Sequence, residues 1–229
     1  LQPVSTSHSN VKNLDFFSDD NDAIYQNQKI KSTMHQPLLL NQSPLHATPS
    51  VQEKIKNSIL DGFAILDSSK MSFPDEARQA SLIGRGYTTV LQDDLAFFTG
   101  LLFLDLSENN LDFAPFGVLP RLKELRLTFN HIKDLPGIYG FPKLQYLDLS
   151  YNMLTIESIS ELEHLPCLRE LDLCGNNLGG IPRNMKSFKY LEKLTLEQNK
   201  IDNNNIFTTL SQMPNLRTVG LAYNFLTRI

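Results

Sequence analysis

One phrase recurs six times and fixes what this chain can fold into. It reads LLFLDLSENNL from Leu101, LKELRLTFNHI from Leu122 and LQYLDLSYNML from Leu144, then LRELDLCGNNL from Leu168, LEKLTLEQNKI from Leu191 and LRTVGLAYNFL from Leu216. Every copy fits L-x-x-L-x-L-x-x-N-x-L, with Val219, Ile132 and Ile201 standing in for leucine. Successive starts lie 21, 22, 24, 23 and 25 residues apart. The L-x-L heart of each copy alternates apolar and polar, the mark of a short strand with one buried face. A unit of this length cannot bury its apolar side alone. Neighbours must therefore stack and share a core, and their strands pair in parallel.

The invariant polar slot has its own physical cause. Asn109, Asn130, Asn152, Asn176, Asn199 and Asn224 stand where the chain turns inward and backbone groups would be left unpaired. A side-chain amide both donates and accepts, so it can satisfy them from one copy to the next. These six residues are expected to be a structural ladder.

The phrase and its period resemble the leucine-rich repeat. The 22-residue form LKELRLTFNHIKDLPGIYGFPK resembles the SDS22-like class of intracellular leucine-rich repeats. The resemblance covers about 101–229, and it implies an α/β solenoid with a parallel concave sheet. Between the phrases the spacing predicts a mixed convex side. Leu135, Ile138 and Phe141 suggest tight or 3₁₀ turns. Ile156, Ile159, Leu162 and Leu165 form a helical stripe with a capping box at Ser158 and Glu161. GGIPRNMKSF reads as extended, and Ile206, Leu210 and Met213 as helical.

Ahead of the repeats the pattern decays. Residues 1–50 are rich in Ser, Thr, Asn, Gln, His and Pro, so they read as an extended or disordered polar arm. Small apolar clusters interrupt it, at Leu14, Phe16 and Phe17 and at Leu38, Leu39 and Leu40. They would anchor the arm either on its own solenoid or on a partner. Residues 51–100 are expected to be a degenerate cap and worn repeats. Val51, Ile55 and Ile59 predict a short amphipathic helix. DGFAILDSSKM (61–71) reads as a worn phrase with Ala64 and Leu66 in the strand slots, Ser69 for Asn and Met71 for the last leucine. Leu95, Phe98 and Leu101 read as the back of a further turn. The missing initial Met and the stop at Ile229, in mid-repeat, lead us to expect a piece of a longer protein.

Chemistry is sparse. The formal charge of −4 and pI near 5.7 give no footprint for nucleic acid. No run approaches the roughly 18 apolar residues of a membrane span. Cys167 and Cys174 read as free thiols, without the histidine pair of a zinc site. His131 and His164 read as solvated surface, and Gly84-Arg85-Gly86 lacks the Lys-Ser/Thr ending of a phosphate loop. The expectation is a non-enzyme with no cofactor, no metal, no small-molecule substrate, and no nucleic-acid or membrane partner.

Binding is legible instead. The slot before Asn holds Glu108, Phe129, Tyr151, Gly175, Gln198 and Tyr223. The slot between the strand leucines holds Asp105, Arg126, Asp148, Asp172, Thr195 and Gly220. The slot ahead of the fourth-position leucine holds Phe103, Glu124, Tyr146, Glu170, Lys193 and Thr218. All three are expected on the concave face. Exposed aromatics with an arginine are the composition of interface centres, so Phe103, Asp105, Arg126, Phe129, Tyr146, Asp148, Tyr151, Asp172 and Tyr223 are the predicted protein-binding residues. The resemblance implies binding without catalysis. The expected role is a scaffold in a multi-subunit cytoskeletal assembly such as a ciliary axoneme, in the cytoplasm. The alternative is a regulatory adaptor of a phosphatase or small GTPase, or a nuclear adaptor.

Overall fold

The computed structural model describes residues 58–136 and 138–227. Its centre is a seven-stranded parallel sheet in chain order. The strands are β2 (Gln79–Ser81), β4 (Phe103–Asp105), β5 (Glu124–Arg126), β6 (Tyr146–Asp148), β7 (Glu170–Asp172), β8 (Lys193–Thr195) and β9 (Thr218–Gly220). The register follows the phrase. Ala80, Leu104, Leu125, Leu147, Leu171, Leu194 and Val219 pair in one line across all seven strands. Leu104, Leu125, Leu147 and Leu194 are wholly buried, as are Leu106, Leu127, Leu149 and Leu196 one residue-pair on. The repeats of β4 to β8 thus each place two leucines per strand into one continuous apolar column. In the last repeat Leu216, Val219 and Leu221 are only half-buried.

The asparagines join the turns in a fixed direction. The Asn152 amide donates to Leu127 O of the preceding repeat (2.9 Å) and to Leu149 O and Ser150 O of its own (3.0 and 3.2 Å). Its Oδ1 accepts from Asn130 N and Ile132 N of the preceding repeat, at 3.0 and 2.9 Å. Asn109, Asn130, Asn176, Asn199 and Asn224 also reach back one repeat with both ends of the amide. Each amide therefore serves the turn before it.

That direction explains the worn repeat, which lies where the sequence does not put it. The register aligns Ala77, Ala80, Leu82 and Tyr87, all buried, with the leucines of the phrase. Arg85 falls in the asparagine slot. Its N–H and that of Tyr87 donate to Asn109 Oδ1 of the next repeat, at 3.1 and 3.0 Å. With no earlier strand of the sheet to serve, this repeat needs no asparagine of its own.

Residues 61–71 are accordingly not a repeat, a correction to the expectation. Gly62–Ser69 form a helix, α1. Asp61 caps it by accepting from Ala64 N, and the buried Asp94 carboxylate accepts from Gly62 N. Lys70 ends it in the left-handed conformation, at φ 57°. Ile65 is wholly buried, whereas Met71, assigned to a leucine slot, is exposed. The Ser68 hydroxyl of α1 donates to Ser81 O and accepts from Ser81 N (2.8 and 2.9 Å), so a single side chain pairs both groups on the free edge of β2. The predicted helix before it is also revised: Ile59–Leu60 form a strand, β1, parallel to β3 (Thr89–Val90), and 51–57 lie outside the described residues. Leu95, Phe98 and Leu101 are wholly buried; Leu95 ends the short helix α2 (Gln92–Leu95).

The convex side is mixed. A 3₁₀ turn spans Ala114–Val118, where Phe113 stacks on Phe141 of the next repeat at 4.4 Å. The second repeat has no regular turn over 131–136 or 138–141, against the predicted 3₁₀, although Leu135, Ile138 and Phe141 are buried there. In the third, α3 (Ile156–Glu161) runs into a 3₁₀ turn at Leu162–His164. Its capping box is Thr155 with Ser158, one turn earlier than the predicted Ser158 and Glu161, and Ile156 is exposed rather than part of the stripe. The fourth has no helix or strand over 179–190, only bends and turns, and α4 (Ile206–Leu210) backs the fifth.

Candidate protein-binding face

The turn that follows each strand decides what that face displays. The slot before the asparagine is left-handed throughout: φ is 65° at Gly84, 59° at Glu108, 55° at Phe129, 52° at Tyr151, 68° at Gly175, 53° at Gln198 and 59° at Tyr223. Non-glycine residues rarely hold this conformation, and bulky ones least of all. Three of the predicted aromatics, Phe129, Tyr151 and Tyr223, therefore occupy a strained slot and lean outward from it. Phe129 and Tyr151 stack across adjacent repeats, with ring centres 4.6 Å apart and planes 12° apart, and both are exposed.

Tyr151 also reaches two repeats forward. Its hydroxyl donates to Gln198 Oε1 at 2.6 Å, and its ring passes over Gly175 on the way. A Cβ on Gly175 would stand 2.6 Å from Tyr151 Cδ1. The glycine at that slot is thus explained by the neighbouring tyrosine as well as by its own φ. Neither Gly175 nor Gln198 was singled out from the sequence, because the contact spans repeats that no local pattern links.

A second group sits on the strands. Arg126 lies between Phe103 and Tyr146, its Cζ 5.4 and 5.5 Å from the two ring centres, in cation–π contact with both. Glu124, on the same face two residues earlier, fixes it by accepting from Nε and Nη2 at 2.9 and 2.6 Å. Burial pulls the Arg126 pKa down, but Glu124 outweighs it and the net shift is upward. Burial, reinforced by Asp148, pushes the Tyr146 phenol up to about 12. Glu124 was legible only as a column member; its role follows from the i, i+2 spacing on one strand face.

The aspartates divide. Asp105 is buried, and its Oδ1 accepts from Ser107 N (3.0 Å) and Ser107 Oγ (2.7 Å), so it closes its own turn rather than joining the exposed surface. Asp148 makes the same pair of bonds with Ser150, and Asp172 one with Cys174 N at 2.9 Å, but both are only half-buried. They face each other in register on β6 and β7. Burial raises the Asp172 pKa, with Asp148 and Glu197 adding to the shift. Burial also raises Cys174, whose thiol in turn holds the Tyr151 phenol above its ordinary value. Tyr223 is exposed in the last repeat, with no ring contact to the others among the described residues. The arm anchors Leu14, Phe16, Phe17, Leu38, Leu39 and Leu40 lie outside the described residues.

With the ladder, the register and the face in hand, the known proteins can be compared. The leucine rich repeat family profile matches residues 120–178. The chain is a leucine-rich repeat protein. It is 34% identical over 197 residues to mouse X-ray radiation resistance-associated protein 1, covering 78% of this chain and 25% of that protein. It is 32% identical over 136 residues to rat PH domain leucine-rich repeat protein phosphatase 1, covering 56% of this chain and 8% of that protein. The chain thus spans a quarter or less of either relative. Among solved structures, internalin C2 of Listeria monocytogenes shares the fold, with a TM-score of 0.52 and 22% identity over 73% of this chain and 85% of that one. Proteins of this family generally mediate protein–protein interaction, and their fold is typically a non-catalytic scaffold. Among the described residues, no helix is long and apolar enough to cross a membrane, and no cluster of His, Cys, Asp or Glu could hold a metal ion.

Proposed function

We propose that this chain is a non-catalytic scaffold that binds another protein through the outward face of β4–β7 and the turns that follow them. One observation carries the reading. Across the three adjacent repeats begun at Leu101, Leu122 and Leu144, the aromatic and arginine side chains are already held in place before any partner arrives. Arg126 is fixed by Glu124 and two rings, Phe129 by Tyr151, and Tyr151 by Gln198. Preorganised anchors of this composition lose little side-chain entropy on docking, which is what a binding centre requires. The narrower reading is a structural subunit of a cytoskeletal assembly such as an axoneme, in the cytoplasm. A regulatory adaptor for a phosphatase is the second reading, supported by the similarity to a leucine-rich repeat phosphatase. A nuclear adaptor is the third.

The test combines fractionation with loss of the face. Tagged full-length chain should pellet with salt-washed cytoskeleton and cross-link there to a defined partner. The double substitution Phe129→Asn and Tyr151→Asn, which the left-handed slots accommodate, should abolish the cross-link while thermal unfolding stays unchanged. Elution with a soluble phosphatase would replace the first reading by the second. A cross-link that survives the double substitution would refute the face itself.

A further inference from the structure

The outward face is acidic as well as aromatic, and its charge is unevenly placed. Take the two outward slots of each strand from β4 to β9 and the two slots of the turn after it. Seven of these positions hold Asp or Glu, and two hold a base, Arg126 and Lys193. The excess of five exceeds the formal charge of −4 on the whole chain. Both bases are already engaged, Arg126 with Glu124 at 2.6 Å and Lys193 with Glu170 at 3.5 Å. Asp148, Asp172 and Glu197 have no ion-pair partner among the described residues. Lys123, Arg169 and Arg217 each stand one residue ahead of a strand, at the margin opposite the turns.

Like charges directly opposite on neighbouring strands repel. Asp148 and Asp172 are paired in register all the same. Each commits Oδ1 to its own turn and leaves Oδ2 without a hydrogen bond among the described residues. Burial is the main cause of the raised Asp172 pKa, and Asp148 adds to it against the opposing pull of Lys193. The half-buried Tyr146 lies two residues before Asp148 on β6, and the exposed Phe129–Tyr151 stack stands over the turns beside the pair, its Tyr151 ring reaching across Gly175.

We propose that this face docks an extended, basic segment of a partner protein, with a lysine or arginine over Asp148 and Asp172 and an apolar side chain on the Phe129–Tyr151 stack. This rests on the protein-binding reading above and adds the partner's chemistry. Charge complementarity favours this occupant: the cation meets a pair that has no ion-pair partner among the described residues, and the adjoining rings offer it cation–π contact.

The test pans a phage-displayed library of random linear peptides on the full-length chain, then measures the enriched peptides by fluorescence anisotropy. The expected sequences are rich in Lys or Arg beside an apolar or aromatic residue. Binding should weaken by about tenfold on Asp148→Asn with Asp172→Asn, and again on raising salt from about 0.05 M to about 0.5 M. Asparagine keeps an Oδ1 for Ser150 N and Cys174 N, so the turns survive, and relief of the like-charge pair means that the unfolding temperature should not fall. Enriched peptides that are neutral or acidic, or that bind the double variant as well as the wild type, would overturn the basic-segment inference while leaving a protein-binding face. Failure of the wild type to enrich any peptide over the Phe129→Asn, Tyr151→Asn chain would overturn both. Self-association abolished by Phe129→Asn would assign the face to a second copy instead and equally overturn it.

Discussion

Replacing Asn152 by Ala tests the ladder at a fully connected central rung. The substitution removes five hydrogen bonds: the donations to Leu127 O, Leu149 O and Ser150 O, and the acceptances from Asn130 N and Ile132 N. Asn152 is 4% exposed, so the two N–H groups lose their partner inside the protein. A buried group left unpaired costs about 1–3 kcal/mol. A water entering the vacated space would recover part of this, which puts the net loss at about 2–4 kcal/mol. Asn152→Asp should be as bad or worse. It keeps the acceptor for the two N–H groups but turns a carboxylate oxygen toward three carbonyls. Asn224→Ala is the internal control. It removes bonds to Leu196 O, Leu221 O and Ile201 N, but the residue is half-exposed, so water can replace them and the loss should stay below about 1 kcal/mol. Equilibrium urea unfolding followed by far-ultraviolet circular dichroism measures all three. If Asn152→Ala cost under about 0.5 kcal/mol, or no more than Asn224→Ala, the ladder would not be what joins the turns.

Leu147→Ala, at a wholly buried site, should cost about 2–5 kcal/mol in the same assay. Gly175→Ala should lose about 1–2 kcal/mol from its φ of 68° alone, and it should displace the Tyr151 ring, seen as a change in near-ultraviolet dichroism that Tyr151→Asn abolishes. Ser68→Ala unpairs both Ser81 backbone groups and should raise amide exchange in β2 while leaving β6 protected. Tyr146 has a folded pKa raised to about 12 from its ordinary value of 10, so its contribution is intact below pH 10 and is lost as pH rises through 12. Stability should therefore fall across that window, and Tyr146→Phe should flatten the fall in alkaline unfolding curves.

The repeats were legible because their information is periodic and local. Two leucines per strand fix the register, and one asparagine per turn fixes the spacing, so Leu104 through Leu194 align from the sequence alone. The cap was not legible, for a physical reason. The stretch from Asp61 to Met71 offers apolar residues at spacings that suit a strand or a helix. What decides is the cap Asp61 makes with Ala64 N and the bond from Gly62 N to Asp94, a residue 32 positions away. Ala77 and Ala80 were passed over because alanine fills the leucine slot only when α1 packs nearby to take up the missing volume. At the face, the aromatic columns could be counted from the sequence. Asp105 is buried although it shares its outward slot and its turn bonds with the half-buried Asp148, a difference between repeats that a count of outward slots does not carry.

The same turn links stability to binding. Its left-handed residue turns the chain so that Asn130 and Asn152 point inward to serve the preceding repeat, and it persists at Gly84, where Arg85 stands in the asparagine slot. Any side chain placed in that slot is thrown outward at a fixed angle whatever its chemistry, which is why glycine, glutamate, glutamine and aromatics all occur there. The fold bears the conformational strain once per repeat and leaves the identity of the displayed residue free. A binding face can then be written into the slot without disturbing the core beneath it. This separation predicts that substitutions at Phe129 and Tyr151 change partner affinity at nearly constant stability. Substitutions at Asn130 and Asn152 should change stability first and binding only as its consequence.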